Sequence, residues 1–176
     1  MIEKILINRH KIKARVKELA AEIEKDYKNK TPLLVAILKG SVIFYADLVR
    51  EIKISVHFDF MAVSSYGQSS KTSGEVKILK DLDYSIEGRD AIIVEDIVDS
   101  GITLCYLKEI LQSRKPRSIK ICTLLDKAGA RIQDIKIDYT GFEIGDEFVV
   151  GYGLDYAQDY RNLPDICVLK KSALKT

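Results

Sequence analysis

The sequence predicts an α/β domain, with an open, mostly parallel, twisted sheet, helices on both of its faces and a small irregular hood. Three observations predict it. Short apolar runs such as Leu33–Leu38 and Ala91–Val94 suit strands covered on both faces. Between them lie segments whose apolar residues recur at three-and-four spacing, the mark of amphipathic helices. Strand and helix alternate along the chain, which calls for crossover helices between parallel strands. The 176 residues suit a single domain spanning 1–176. Its core is expected over roughly 30–130, and the hood from the N-terminus and 135–176.

The elements follow in order. Ile12, Val16, Leu19, Ala20, Ile23 and Tyr27 mark one buried helical face, with Lys, Arg and Glu between them. That pattern stops at Asn29–Pro32, because proline disfavours helix in the residue before it. Leu33–Leu38 is a buried strand, broken by Lys39-Gly40-Ser41, and Val42–Ile52 reads as a helix. A β-rich stretch, Ile54–Val63, runs into Ser64–Gly74, a polar segment rich in serine that reads as a functional loop. Strands are expected at Val76–Leu79 and Ala91–Val94, a helix at Ile102–Leu111 and another buried strand at Ile119–Leu125. The remainder, Ile135–Leu169, reads as shorter strands with Gly-rich turns.

Composition narrows the function classes. With 47% hydrophobic and 31% charged residues, the chain is not wholly disordered. Twenty-eight basic against 26 acidic residues leave a charge of +2, which points to neither nucleic acid nor a membrane surface. The longest apolar run, Leu33–Leu38, is far short of the ~20 residues of a membrane span. The N-terminus has an early acid and no continuous apolar stretch, unlike a signal peptide. Cys105, Cys122 and Cys167 are odd in number and widely spaced, and read as reduced packing residues of a cytoplasmic protein. His10 and His57 read as structural.

The chemistry concentrates where the Ala91–Val94 strand ends. Ligands of open parallel sheets sit beyond the carboxyl ends of the strands. Here two carboxylates, Glu95 and Asp96, leave the strand, and Asp99-Ser100-Gly101-Ile102-Thr103 leads into a helix. Backbone N–H groups at a helix start, with glycine permitting close approach and hydroxyls adding donors, cradle a phosphate monoester. Like charge keeps Glu95 and Asp96 from that phosphate. Their partners are sugar hydroxyls or a magnesium ion. Alone, the loop also fits ordinary helix capping beside solvated acids. The segment has neither a Walker A pattern nor a dinucleotide fingerprint.

Val94-Glu-Asp-Ile-Val-Asp-Ser-Gly-Ile-Thr103 resembles the phosphoribosyl pyrophosphate (PRPP) signature of type I phosphoribosyltransferases. Leu38-Lys39-Gly40-Ser41, Ser65-Tyr66-Gly67, Lys127, Phe148-Val-Val-Gly-Tyr-Gly-Leu-Asp155-Tyr and Arg161 follow the family order of the hypoxanthine (hypoxanthine-guanine) phosphoribosyltransferases. The resemblance covers roughly residues 30 to 170. It implies the type I phosphoribosyltransferase fold and transfer of a 5-phosphoribosyl group from PRPP to N9 of hypoxanthine or guanine. IMP or GMP and pyrophosphate would be the products, with Mg2+ as cofactor.

The resemblance also implies roles. Asp99, Ser100, Gly101, Ile102 and Thr103 would hold the 5-phosphate, and Glu95 and Asp96 the ribose hydroxyls and their metal. Lys39 and Gly40, beside a cis peptide between Leu38 and Lys39, would meet the pyrophosphate together with Arg161. Asp155 would serve a second magnesium, directly or through water. Phe148 would stack on the purine, Val149 would read its edge through backbone atoms, and Lys127 would donate to the 6-oxo oxygen. Asp99 is the candidate for proton handling at N7, and Ser65 and Tyr66 would belong to a lid. A homodimer or homotetramer is implied. Two alternatives stay open from sequence: a xanthine- or guanine-selective transferase, and an RNA-binding pyrimidine-operon regulator on the same fold.

Overall fold

The computed structural model describes residues 1–65, 76–170 and 172. In chain order the described elements are β1 Ile2–Ile7, α1 Arg9–Asp26, β2 Leu33–Leu38, α2 Val42–Glu51, β3 His57–Ser65 and β4 Val76–Lys80. β5 Asp90–Val98, α3 Ile102–Ser113, β6 Ser118–Asp126, β7 Tyr139–Glu143, β8 Val149–Val150 and β9 Ile166–Leu169 complete them. A 3-10 turn at Ala128–Ala130 follows β6.

Six strands form the main sheet in the order β4-β3-β2-β5-β6-β7. All pairs are parallel except β3 with β4. The continuous apolar run of β2 is explained by two cores, because successive strand residues face opposite sides. Leu34 and Ala36 meet α1 and α2 through Ile12, Leu19, Ile23, Phe44 and Leu48. Leu33, Val35 and Ile37 meet α3 through Leu104, Leu107 and Leu111. Each such buried side chain contributes ~1.5–3 kcal/mol, so truncating Leu34, with no exposure at all, removes support from both α1 and α2. Helices therefore do cover both faces.

α1 begins where Asn8 caps it, its side-chain oxygen accepting from the Lys11 N–H at 3.0 Å. The expected face is buried throughout, from Ile12 at 1% exposed to Tyr27 at 2%. The helix stops as Tyr27 leaves helical geometry and Asn29 turns left-handed at φ 62°. Cys122 packs in the core under α1, and Cys167 with Val150 and Leu169 in a smaller cluster. Among the described residues no helix is long and apolar enough to cross a membrane.

Two sequence expectations change. The N-terminal residues form a strand that periodicity did not show: β1 pairs antiparallel with β9. With β8 they make a small second sheet, β1-β9-β8, within the hood. β5 does not end at Val94. It runs through Glu95 and Asp96 to Val98, because β6 stays paired to it as far as Val98↔Asp126 after β2 has parted at Val94. The expected lid falls largely outside the described residues: Tyr66 lies beyond them, and Ser65 is described only as the last backbone position of β3.

Candidate active site

Because β2, β5, β6 and β7 are parallel, their carboxyl ends lie along one edge. Lys39-Gly40 follows β2, Asp99 follows β5, Lys127 follows β6, and the Phe148 segment follows β7. Backbone bonds lace these ends together. Lys127 N–H donates to Val98 O at 2.9 Å, and Ile144 N–H to Asp126 O at 2.9 Å.

At the β2 end the Leu38–Lys39 peptide is cis. Ser41, wholly buried, donates to Ile37 O at 2.6 Å and folds this turn back on its strand. Lys39 is exposed above it. Gly40 is pressed between two neighbours. A Cβ there would fall on the Asp96 carboxylate, and a Cβ on Gly153 would fall on Gly40 O. Gly153 in turn is gripped by Arg161, whose N–H donates nearby: Arg161 Nη1 reaches Gly153 O at 2.8 Å. Arg161 Nη2 pairs with Asp155 Oδ1 at 2.8 Å, and Gln158 N–H occupies Asp155 Oδ2 at 2.8 Å. The Arg161 Nε–H is buried with no partner among the described residues, leaving a donor for an anion. Lys39, Gly40, Asp96, Asp155 and Arg161 thus gather at one place.

The Asp99–Thr103 loop leads from β5 into α3. Gly101 enters α3 in the left-handed region, φ 79°, and supplies no side-chain cap. Ser100 Oγ only weakly engages Ile102 N–H, at 3.4 Å. Asp99 is exposed at the mouth, with Ser100, Ile102 and Thr103 half-buried. Behind it, Asp96 Oδ1 accepts from Ile97 N–H at 2.8 Å. Burial pushes the Asp96 carboxyl up to about 6; nearby Arg161 pulls it down and Asp155 pushes it up. Burial, then the charge of Asp96, holds Glu95 well above the ordinary carboxylate range. Such a pair favours a cation or hydroxyl donors over free ionisation.

On the other side Lys127 is only 9% exposed and has no ion-pair partner among the described residues. Phe148 keeps 38% of its surface open and stands edge-on to Tyr156, ring centroids 5.5 Å apart. Its carbonyl accepts from Leu169 N–H at 3.0 Å, and buried Val149 pairs with Val168, so the hood sheet fixes the aromatic ring. A partly open aromatic face and a nearly buried lysine are groups that suit a heterocycle carrying an acceptor.

A magnesium ion matches this donor set in part. Among the described residues no three acidic, cysteine or histidine side chains converge. Glu95 and Asp96 offer carboxylate oxygens, and magnesium typically takes one or two of these plus substrate oxygens and water. Asp155, both of whose oxygens are engaged, is not poised as a direct ligand. A cavity of about 710 Å³ opens behind Arg161, between α1 and α2, and shares Tyr152 with the hood, but it contains none of the phosphate-loop or base-side candidates. His10 lines that cavity, and His57 contacts Arg89 far from the strand ends. Sequence reading passed over Arg131 and Asp126, which join the phosphate loop to the Lys127 segment. Nothing in their spacing marks them, since the joint is made by two loops meeting in space.

The fold and this edge define a phosphoribosyltransferase, and a phosphoribosyl transferase domain model matches residues 3–157. The chain is 56% identical over 175 residues to the hypoxanthine-guanine phosphoribosyltransferase of Bacillus subtilis (strain 168), covering 99% of this chain and 97% of that one. It is 51% identical over 170 residues to that of Streptococcus thermophilus (strain CNRZ 1066), covering 97% and 94%. Among solved structures, a hypoxanthine phosphoribosyltransferase from Staphylococcus aureus superposes with a TM-score of 0.96 at 47% identity, covering 99% of this chain and 95% of that one. A hypoxanthine-guanine phosphoribosyltransferase from Bacillus anthracis, with a HEPES molecule in its active site, gives 0.93 at 48%, covering 97% and 100%. The chain belongs to the hypoxanthine-guanine phosphoribosyltransferase family, with the type I phosphoribosyltransferase fold.

Proposed function

We propose that this protein is a purine-salvage transferase that moves the 5-phosphoribosyl group of PRPP to N9 of hypoxanthine, and of guanine, releasing pyrophosphate and giving IMP or GMP. The relatives' names favour this reading over a xanthine-selective transferase or an RNA-binding regulator. The observation that carries the site is the meeting of four parallel strand ends with Gly153 and Arg161 closing over them.

In this reading the Asp99–Thr103 loop holds the 5-phosphate through the N–H groups that open α3. Glu95 and Asp96 bind the ribose hydroxyls and would hold a magnesium ion, which would supply positive charge to the departing pyrophosphate. Lys39, the backbone of Gly40 and Arg161 take the pyrophosphate itself, the spare Arg161 N–H included. Asp155 would serve a second magnesium ion. As the C1–oxygen bond breaks, positive charge grows on the ribose, much as in glycoside cleavage, and the Glu95–Asp96 pair faces it. Phe148 stacks on the purine, Val149 reads its edge, and Lys127 donates to the 6-oxo oxygen. Adenine carries an amine there, which leaves the Lys127 ammonium without an acceptor. Asp99 takes or orients the purine proton as N9 attacks.

The reading extends to one domain, 1–176, working in the cytoplasm as a homodimer or homotetramer. Free Cys105, Cys122 and Cys167 support a reducing compartment. Exposed Val42, Ile43 and Phe58 support self-association, which light scattering measures. The activity is tested by a spectrophotometric assay offering hypoxanthine, guanine, xanthine and adenine with PRPP and magnesium. Turnover of hypoxanthine and guanine with little of adenine is expected. No turnover of either 6-oxopurine overturns the proposal.

A further inference from the structure

We infer that Arg131 is a positioning residue that locks the purine-reading end of β6 to the phosphate loop. The inference rests on the roles just proposed for Asp99 and Lys127.

The Arg131 side chain is only 15% exposed, and its guanidinium is committed to protein groups on both sides. Nη2 pairs with the carboxylate of Asp126, itself 11% exposed and the residue immediately before Lys127. Nη1 donates to Asp99 O at 3.1 Å. The backbone beyond repeats the link: Ile132 and Gln133 N–H both donate to Ser100 O, at 2.9 and 3.0 Å. The Arg131 stem also lies under Gly101, where a Cβ would stand 3.1 Å from Arg131 Cδ and from Gln133 O. The loop that turns into α3 is therefore clamped from below by the segment that follows Lys127.

One planar fork serves both loops. A guanidinium presents five N–H donors in fixed directions, so it can bind a carboxylate and a carbonyl together. A lysine ammonium in the same place can pair with Asp126 but lacks the second arm that reaches Asp99 O. Since Asp99 and Lys127 act on neighbouring atoms of one base, N7 and the 6-oxo oxygen, their separation decides whether both contacts form at once. Arg131 sets that separation without touching the base.

The test uses the full-length enzyme and three variants. Arg131→Met keeps the stem but leaves Asp126 as an uncompensated buried charge, which can itself unfold the chain. The double variant Arg131→Gln with Asp126→Asn removes that charge and keeps the protein measurable. Arg131→Lys retains the ion pair and loses the Asp99 bond. For each, kcat, KM for PRPP, KM for hypoxanthine, the hypoxanthine-to-adenine ratio of kcat/KM and the melting temperature are recorded. The double variant and Arg131→Lys are expected to lose about 10- to 100-fold in kcat and to show a lower base ratio. Arg131→Lys is expected to keep its melting temperature within a few degrees. A purely structural Arg131 would instead lower the melting temperature and leave KM, kcat per folded molecule and the base ratio unchanged in Arg131→Lys, and that result overturns the inference. Asp99→Asn and Lys127→Gln are run alongside. If they behave as wild type, the site reading falls; if they are impaired and the Arg131 variants are not, only the clamp falls.

Discussion

Gly40→Ala tests how tightly the pyrophosphate side is assembled. Gly40 does not occupy the left-handed region, so alanine can adopt its backbone and the effect comes from space alone. The new methyl lands on the Asp96 carboxylate. Retreat of the loop is blocked on the far side, where the Gly153 backbone packs against Gly40 O and is itself tied to Arg161. Asp96 cannot swing freely either, since Oδ1 holds the Ile97 N–H. Overpacking of this kind costs about 1–3 kcal/mol, and charged to the transition state it lowers kcat/KM for PRPP by about 5- to 150-fold. Gly129→Ala is the matched control, because a Cβ there meets nothing within 4 Å. Initial rates of PRPP-dependent pyrophosphate release, measured against both substrates, report the effect. Gly129→Ala should stay within about twofold of wild type. A Gly40→Ala enzyme that does the same refutes the reasoning that this turn, Asp96 and the hood form one packed unit.

Other outcomes follow from the same geometry. Lys127→Gln exchanges a charge-assisted hydrogen bond for a neutral one, so kcat/KM for hypoxanthine should fall by about 10-fold or more. Adenine should suffer less; an unchanged hypoxanthine-to-adenine ratio removes Lys127 from the base site. Asp99→Asn should depress kcat by about 100-fold or more while PRPP affinity, followed by isothermal titration, survives within a few-fold. For stability, Arg114 hydrogen bonds hold Asp81 below the usual carboxylate range, and Lys120 and Tyr139 do the same for Asp26. A carboxyl lowered by folding stabilises the native state above its unfolded value of ~4, and that contribution is lost as pH falls through the lowered value. Calorimetry should show these pairs contributing fully from pH 7 to 5 and progressively less below 4. Arg114→Ala should flatten part of the acid limb without changing turnover, and an acid limb that does not change contradicts the assignment.

The main sheet was legible because burial on two faces forces unbroken apolar runs. Leu33–Leu38 and Ala91–Val94 are such runs, and α1 shows its face at helical spacing. β1 was not legible. Three of its six residues, Ile2–Ile7, are exposed in succession, and its partner β9 lies at the other end of the chain, so the strand exists through pairing rather than pattern. The continuation of β5 was hidden for a related reason: a carboxylate in a central strand reads as an ending until a cleft opens beside it. The hood turn was harder still. Tyr152, Ala157, Gln158 and Tyr160 all take positive φ, from 51° to 75°, in a stretch of nine residues, and no side chain among them announces it. The phosphate loop stood out because its acids, hydroxyls and glycine are contiguous in sequence. Arg131 did not, because its two partners are brought to it by separate strands.

In the function proposed above, four strand ends and the hood form one cleft that holds a ribose phosphate at Asp99–Thr103 and a 6-oxopurine between Phe148 and Lys127. A crystal structure of the protein with IMP measures this directly. The 5-phosphate is expected on the N–H groups opening α3, the base flat on the Phe148 ring and its 6-oxo oxygen within hydrogen-bond distance of Lys127 Nζ. An IMP molecule seated instead in the cavity between α1 and α2, or with its base away from Phe148, contradicts it.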